Sequence, residues 1–539
     1  MRFRFLVFLS LLFAGFALQA SDKPKLIVGI VVDQMRYDYL VRFKSGFGAG
    51  GFNRLLEGGR NFTSCNYNYI PTYTAPGHAS IYTGTTPRVH GIVGNSWYDR
   101  RSGKAFSNVY DSTVTPIGSD EKAGLASPVN LMAPTIGDHL KAQLGKGTRV
   151  FSVSIKDRGA ILPGGKAANG AFWYDSKSGL FTTSSYYYRE APVWLTEFNN
   201  RNLPVSLMSK DWVLKNPAMS FTGMTADEVE WEHDIFKEGD RSFPHTFSHL
   251  SEKKRADLLA FTPGGNEIVL ELALTVLAKE GLGKSSGTDL LAISFSSPDY
   301  IGHSYGPNSL EVADCYLRLD EQIARLLSAL DSEVGKDRYL LFLSADHGVS
   351  ESHGYLRSVG VDCGHYVESP VKDSLNHFLS GYFGKDSLVL SVSNDQVYLN
   401  EDLITSEGID QSSVMEAAAR YLSLNLPQLV SVFDMDYLRN RPVVRSMEAM
   451  ISNGWNPSRS GEIAFMSKPY FHNSDLSVGT SHGSGYSYDT HVPMLFYGWK
   501  VSPGTIDQPV YIIDIAPTVT RHLNMTSPGG ASGLAQPLR

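Results

Sequence analysis

Cysteine is scarce: Cys65, Cys315 and Cys363 are the three in 539 residues. They lie far apart and make no C-x-x-C pair, which argues against a cysteine-built metal centre. Export would allow one disulfide without revealing its pairing. Each also suits a small buried position, Cys315 above all, inside the helix-like run EVADCYLRLDEQIARLLSAL. There is no excess of basic charge either. The formal net charge is −7, so nothing marks nucleic acid as a partner. Internal repeats and long charge runs are missing. Past the first residues, no segment is long and apolar enough to span a bilayer, which needs about 20 residues, so no stable membrane anchor is expected.

The first residues, MRFRFLVFLSLLFAGFALQA, read as a secretory signal over 1–20. Arg2 and Arg4 give the positive start, Phe5 to Phe16 the apolar stretch, and Ala20 a cleavage site. An uncleaved anchor is the weaker alternative, because the apolar stretch is short. Cleavage would remove two arginines and no acid, taking the net charge from −7 to −9. A periplasmic or secreted location follows as an expectation.

Short runs rich in Val, Ile and Leu recur and end abruptly in polar residues. KLIVGIVVDQ ends at Asp33, RVFSVSIKDRG near Lys156, LLAISFSSPDYIGH near Asp299 and YLLFLSADHG at Asp346; HVPMLFYG lies near the end of the chain. Continuous apolar runs suit strands of a parallel sheet buried on both faces. Helix-like stretches alternate with them, at 133–144, 266–280 and 311–330. The predicted fold is α/β, a three-layer sandwich with a mostly parallel central sheet. Residues 21–539 are read as one catalytic domain. Tyr-, Ser-, Asn- and Gly-rich segments near 165–250 and 350–475 break the rhythm and are read as inserted cap segments.

Metal-capable residues sit just after those runs: Asp33, Asp299, Asp346 and His347. In open α/β sheets, sites form beyond the carboxyl ends of the strands. One Asp there is most often a turn or cap residue; several together with His are not so easily dismissed. Asp299 and His303 are four apart and share a helical face. His482 lies in the glycine-rich stretch GTSHGSGYSYDTHVP. Mixed Asp and His donors favour zinc over magnesium or calcium. Clusters of this size accommodate two ions, as used for in-line phosphoryl displacement. His78, His90, His353, His365 and His491 show no comparable spacing, with His353 and His365 kept as alternative ligands.

The ordered set PTYT, HGIVGN, IKDRG, PDYIGH, ADHG and SHGSGYSYDTHVP resembles the alkaline phosphatase superfamily. Within it, the set is similar to the branch holding type I phosphodiesterase/nucleotide pyrophosphatases and the phosphate-irrepressible alkaline phosphatases. The motifs run from residue 33 to residue 493. The resemblance implies Asp33, Asp346, His347 and the nucleophile Thr74 around one zinc, and Asp299, His303 and His482 around the other. Thr74 would form a phosphothreonine intermediate, and the turn that follows it would aim backbone N–H groups at the phosphate. Asn95 would donate an amide to a phosphoryl oxygen. Lys156 and Arg158, alternate residues at a strand end, would face the site together. This Lys-x-Arg implies a phosphate monoester as substrate, and Lys156 stands in for a magnesium site, so two zincs and no required magnesium are expected. The implied enzyme is a monomeric, zinc-dependent alkaline phosphatase acting on small phosphate monoesters. A phosphodiesterase or nucleotide pyrophosphatase is the main rival. An inactive secreted zinc- or phosphate-binding protein is the alternative from another class.

Overall fold

The computed structural model describes residues 23–539 other than 120–121, 146, 219, 440–445 and 474–475; the expected signal segment, 1–20, lies outside them. Ten strands form the central sheet: β1 (Leu26–Val32), β2 (Arg60–Phe62), β3 (Pro116–Ile117), β4 (Val150–Ser154), β5 (Gly170–Asp175), β6 (Leu180–Ser184), β7 (Asp289–Phe295), β8 (Tyr339–Ser344), β9 (Met494–Gly498) and β10 (Gly504–Ile506). Their order is β10-β2-β9-β8-β1-β7-β4-β5-β6-β3.

β1, β7, β8 and β4 are buried at every position. Successive side chains of a strand point to opposite faces, so unbroken burial requires helices on both faces. That makes the sandwich three-layered. The block β8-β1-β7-β4-β5 is wholly parallel, with Leu26 beside Asp289 on one side and Tyr339 on the other. The carboxyl ends of four side-by-side strands therefore meet at one edge.

Five helices matter for that edge: α1 (Thr74–Thr83), α2 (Asp157–Gly164), α3 (Pro263–Lys279), α4 (Ser297–Tyr305) and α5 (Leu310–Leu330). α3 starts at a Thr262 cap followed by Pro263, and α5 at Ser309, whose hydroxyl accepts from Val312 N–H. These are ordinary start signals. All three cysteines are free, with Cys65 and Cys315 buried.

Two expectations about direction and extent need correction. The HVPMLFYG run, grouped with the parallel strands, forms β9 and pairs antiparallel with β8. An apolar run reports burial on both faces, not strand direction. β5 and β6 lie within the segment read as an insertion from about 165, yet they extend the central sheet. Their aromatic and threonine content hid a strand signal that burial makes plain.

Residues 364–467 build a second unit. Strands Val389–Ser393, Gln396–Leu399, Ile463–Ser467 and Leu429–Asp434 form a four-stranded antiparallel sheet. Helices Glu368–Phe383 and Gln411–Asn425 supply the rest of a separate core around Leu375, Leu379, Val397, Val414, Leu422 and Phe465.

Candidate active site

Asp33 follows β1 directly, Asp346 and His347 follow β8, and Asp299 opens α4 just beyond β7. Lys156 caps α2 after β4. Adjacent parallel strands thus deliver their polar ends to one place, as the strand-end pattern implied. His303 comes from the last turn of α4, and His482 from the loop before Ser487–Thr490. Thr74 is the first residue of α1 and is 1% exposed.

The three imidazoles are oriented alike. Nδ1 of His303 lies 2.7 Å from the Thr480 carbonyl, Nδ1 of His347 2.8 Å from that of Gly348, and Nδ1 of His482 2.8 Å from that of Thr72. A carbonyl only accepts, so each Nδ1 carries a proton; His347 and His482 then keep an Nε2 lone pair, whereas against burial Asp299 raises His303 and favours its protonated form. The Nε2 atoms converge on acids: His303 lies 3.1 Å and His482 3.8 Å from Asp299 Oδ1, and His347 lies 3.4 Å from Asp33 Oδ1. Burial drives His482 down to about 3 and His347 well below the usual imidazole range, so both rings stay neutral.

Asp33, Asp299 and Asp346 are three buried carboxylates. Burial, reinforced by Asp299 and Asp346, holds Asp33 well above its ordinary value, and burial pushes Asp346 up to about 7. Lys156 offsets part of this charge. Its ammonium lies 2.7 Å from Asp33 Oδ2, 2.5 Å from Asp299 Oδ2 and 3.4 Å from Thr74 Oγ1. Burial disfavours that ammonium, but Asp299 and Asp33 outweigh it and keep Lys156 charged. Lys156 reaches only Oδ2 of Asp33, so Asp33 Oδ1 and Asp346 Oδ2 are left without a hydrogen-bond donor. Buried acceptors without donors, facing imidazole lone pairs, are the chemistry of a cation site.

Two groups bring their donor atoms within 4.8 Å of one another: Asp33, Asp346 and His347, and Asp299, His347 and His482. The first contains three of the four residues the resemblance implied for one zinc. The fourth, Thr74, has its Oγ1 3.4 Å from His347 Nε2. The second draws in His347, whose ring stacks on His482 at 3.5 Å, while His303 stands outside it against Asp299.

The phosphate-side residues need two local corrections. Lys156 and Arg158 are not alternate residues of a strand end, because helix α2 begins at Asp157 and Arg158 lies in its first turn. Arg158 Nη1 lies 3.7 Å from Asp157 Oδ1; against burial, Asp157, Tyr300, Asp33 and Asp299 keep its guanidinium charged, and its Nε is buried without a hydrogen bond. The second correction concerns the start of α1. Ala75 N–H donates to Asn95 Oδ1 at 2.9 Å, Pro76 has no N–H, and Gly77 N–H donates to the Tyr73 carbonyl. These amides are therefore spent inside the protein. With its Oδ1 engaged, Asn95 keeps its Nδ2 group as a donor.

Three residues with no metal-like spacing also belong to this neighbourhood. His78 Nδ1 lies 3.3 Å from Asp346 Oδ2. Asp489, within the SHGSGYSYD stretch, accepts the N–H groups of Gly483 and Ser484 and the Ser484 hydroxyl, pinning the loop that carries His482. Gln34 donates to Asp299 and Asp346. For His78 and Gln34, only contacts between residues distant in sequence reveal the role.

Fold and donor set define a metal-dependent hydrolase built on an α/β sandwich. Residues 27–403 match the type I phosphodiesterase / nucleotide pyrophosphatase family, and the chain belongs to that family, within the alkaline phosphatase superfamily. It is 38% identical over 515 residues to alkaline phosphatase PafA of Elizabethkingia meningoseptica, covering 95% of this chain and 94% of PafA. The crystal structure of PafA matches with a TM-score of 0.90, covering 95% of this chain and 98% of that one. Alkaline phosphatase PhoV of Synechococcus elongatus is 38% identical over 515 residues, covering 96% and 92%. A calcium-transporting ATPase of Myroides odoratus is 38% identical over 524 residues, covering 97% and 95%. No helix among the described residues is long and apolar enough to cross a membrane.

Proposed function

We propose that this protein is a zinc-dependent alkaline phosphatase that hydrolyses small phosphate monoesters through a phosphothreonine at Thr74. The observation that carries this reading is the placing of Thr74 Oγ1, 3.4 Å from both Lys156 Nζ and His347 Nε2, between two clusters of buried Asp and His. Asp33, Asp346, His347 and Thr74 would hold one zinc, and Asp299, His303 and His482 the other. When bound, zinc supplies the positive charge that favours ionisation of a hydroxyl or water near neutral pH and offsets charge on a departing oxygen.

Thr74 Oγ1 attacks phosphorus after passing its proton to solvent, and the bond from phosphorus to the ester oxygen breaks. The leaving alcohol takes a proton from water. Water then attacks the phosphothreonine, the bond from phosphorus to Oγ1 breaks, and phosphate departs with Thr74 restored. Asn95 Nδ2 and the Arg158 guanidinium bind the phosphoryl oxygens that a monoester leaves unesterified, where positioned donors count most. Lys156 adds positive charge beside Thr74 and bridges Asp33 to Asp299. An ammonium already in that position is the reason no magnesium is required.

Rates on a monoester and a diester with the same leaving group test this reading. Preference for the monoester is expected. Diester preference would instead favour the phosphodiesterase activity in the family's description. Metal analysis after dialysis, with activity before and after zinc is restored, separates an enzyme from an inactive zinc-binding protein. We also propose export through residues 1–20 to the periplasm or medium, a monomeric state, and a single catalytic domain over 21–539 with cap insertions. N-terminal sequencing of the mature protein tests the first of these and sedimentation the second.

A further inference from the structure

Gln34 has a backbone that a glutamine disfavours. Its φ is +66°, and it is the one buried residue among the described non-glycine positions with positive φ. Glycine adopts this conformation freely, and Asn or Asp tolerate it through short local hydrogen bonds. Glutamine has neither advantage. Such an outlier persists where the surrounding structure holds it, most often at a functional site.

The contacts show what holds it. Gln34 N–H donates to Asp346 Oδ1 at 3.1 Å, and Gln34 Nε2 donates to Asp299 Oδ1 at 2.7 Å. One residue therefore grips a carboxylate from each donor group, 265 positions away in one case and 312 in the other. A second oddity lies across from it. Gly302 sits within α4, between Asp299 and His303, with no positive φ to explain a glycine there. Glycine inside a helix is unfavourable relative to alanine. A Cβ at Gly302 would overlap Gln34 Oε1. Two locally unfavourable choices, a glutamine where glycine fits and a glycine where alanine fits, are explained by one side chain packing between them.

We propose that Gln34 is a positioning residue that ties the two metal-binding clusters together. Its backbone sets Asp346 and its amide sets Asp299, so the spacing between the clusters is fixed by one residue. With Lys156 on Oδ2 and Gln34 on Oδ1, Asp299 is held through both oxygens and cannot turn in its pocket. A neutral donor suits this role. It orients a carboxylate without adding charge to a site that already holds three acids. This inference rests on the zinc reading proposed above.

The test uses the full mature protein as wild type, Q34G, Q34N and G302A, plus the double variant Q34G/G302A. Zinc content is measured against graded chelator, alongside thermal unfolding and steady-state kinetics. Q34G relieves the backbone, so its metal-free melting temperature should equal or exceed that of the wild type. It should nevertheless lose zinc at chelator concentrations about 10–100-fold lower, the usual effect of removing a partner that orients a metal ligand. Q34N keeps a residue tolerant of positive φ with an amide too short to reach Asp299, and should match Q34G. G302A should weaken zinc retention in the wild-type background and add nothing to Q34G, since the side chain it displaces is gone. The loss should fall mainly on kcat. Zinc retention in Q34G and Q34N equal to wild type would overturn the inference, as would a G302A penalty undiminished in the Q34G background. If the wild type itself holds no zinc, the zinc reading of the site fails first, which separates the two failures.

Discussion

Two sets of carboxyl groups, one buried and one half-buried, lie near the start of α1, and they are built to opposite ends. At the sheet edge, Asp33 and Asp346 leave acceptor atoms without donors, facing imidazole nitrogens. In the second unit, Glu368 and Asp395 are satisfied. The Tyr366 hydroxyl donates to Asp395 at 2.5 Å, and Asp395 N–H and Asn473 Nδ2 donate to Glu368. Burial pushes members of both sets up, Asp346 and Glu368 to about 7 and Asp395 to about 6. A carboxyl group raised above its ordinary value therefore does not by itself distinguish a site from a scaffold. Unsatisfied lone pairs beside oriented histidines do, because only a cation can answer them.

The second unit is not idle. Its hairpin turns at Asn394 and Asp395, both with positive φ, as a two-residue connection demands. From there Asn394 Nδ2 donates to the Ser96 carbonyl at 2.7 Å, one residue past Asn95. Asn473 lies 3.5 Å from the Tyr73 hydroxyl, one residue before Thr74. The sheet edge carries the groups proposed to react; the second unit, through Asn394, braces the backbone beside Asn95, and Asn473, just past that unit, reaches the side chain before Thr74.

Replacing a group at the sheet edge should be far more damaging than replacing a brace. The largest effect is expected for Thr74→Ala: turnover falls by about 10³-fold or more while zinc content, read by elemental analysis, stays near that of the wild type. Near-normal activity would break the covalent route. Next come Lys156→Ala and Arg158→Ala, each removing a charged donor worth about 1.5–3 kcal/mol. The ratio of monoester to diester kcat/KM should drop about 10–100-fold; an unchanged ratio would remove these cations from substrate selection. Asn394→Ala, on the brace, removes a neutral bond worth about 1 kcal/mol. Monoester kcat/KM should fall about fivefold, with zinc retention unchanged.

The smallest effect is on stability against pH. Glu368 and Asp395 have native values above their ordinary ones of 4.5 and 3.8. Between about pH 4 and pH 7 the unfolded chain ionises them more readily and holds fewer protons than the native one. Their contribution to stability is thus full at the acid end of that window and lost as pH rises through it. Glu368→Gln should flatten the fall in melting temperature over this range relative to the wild type. An identical slope in the two proteins would show that Glu368 does not titrate in this way.

Much of the site is legible locally. A run such as KLIVGIVVDQ announces both a buried strand and the polar residue at its end. The carboxyl ends of neighbouring parallel strands must then meet, so Asp33, Asp299, Asp346 and His347 are brought to one edge by topology. Less was legible where a segment's role depends on its partners. The K-D-R tripeptide reads equally well as a strand end or as a helix start. β9 looks like any other buried strand until its neighbour reveals an antiparallel pairing.

The sequence by itself determined the α/β alternation and the residue types gathered at the sheet edge, because burial periodicity and strand-end polarity are encoded within a few residues. Only the tertiary structure decided which way each donor faces. His482 is oriented by a carbonyl 410 residues away and Asp299 by an amide 265 away. Those hydrogen bonds exist only once distant segments pack together, so no local pattern records that Gln34 spans the clusters or that Asn95 secures the first amide after Thr74.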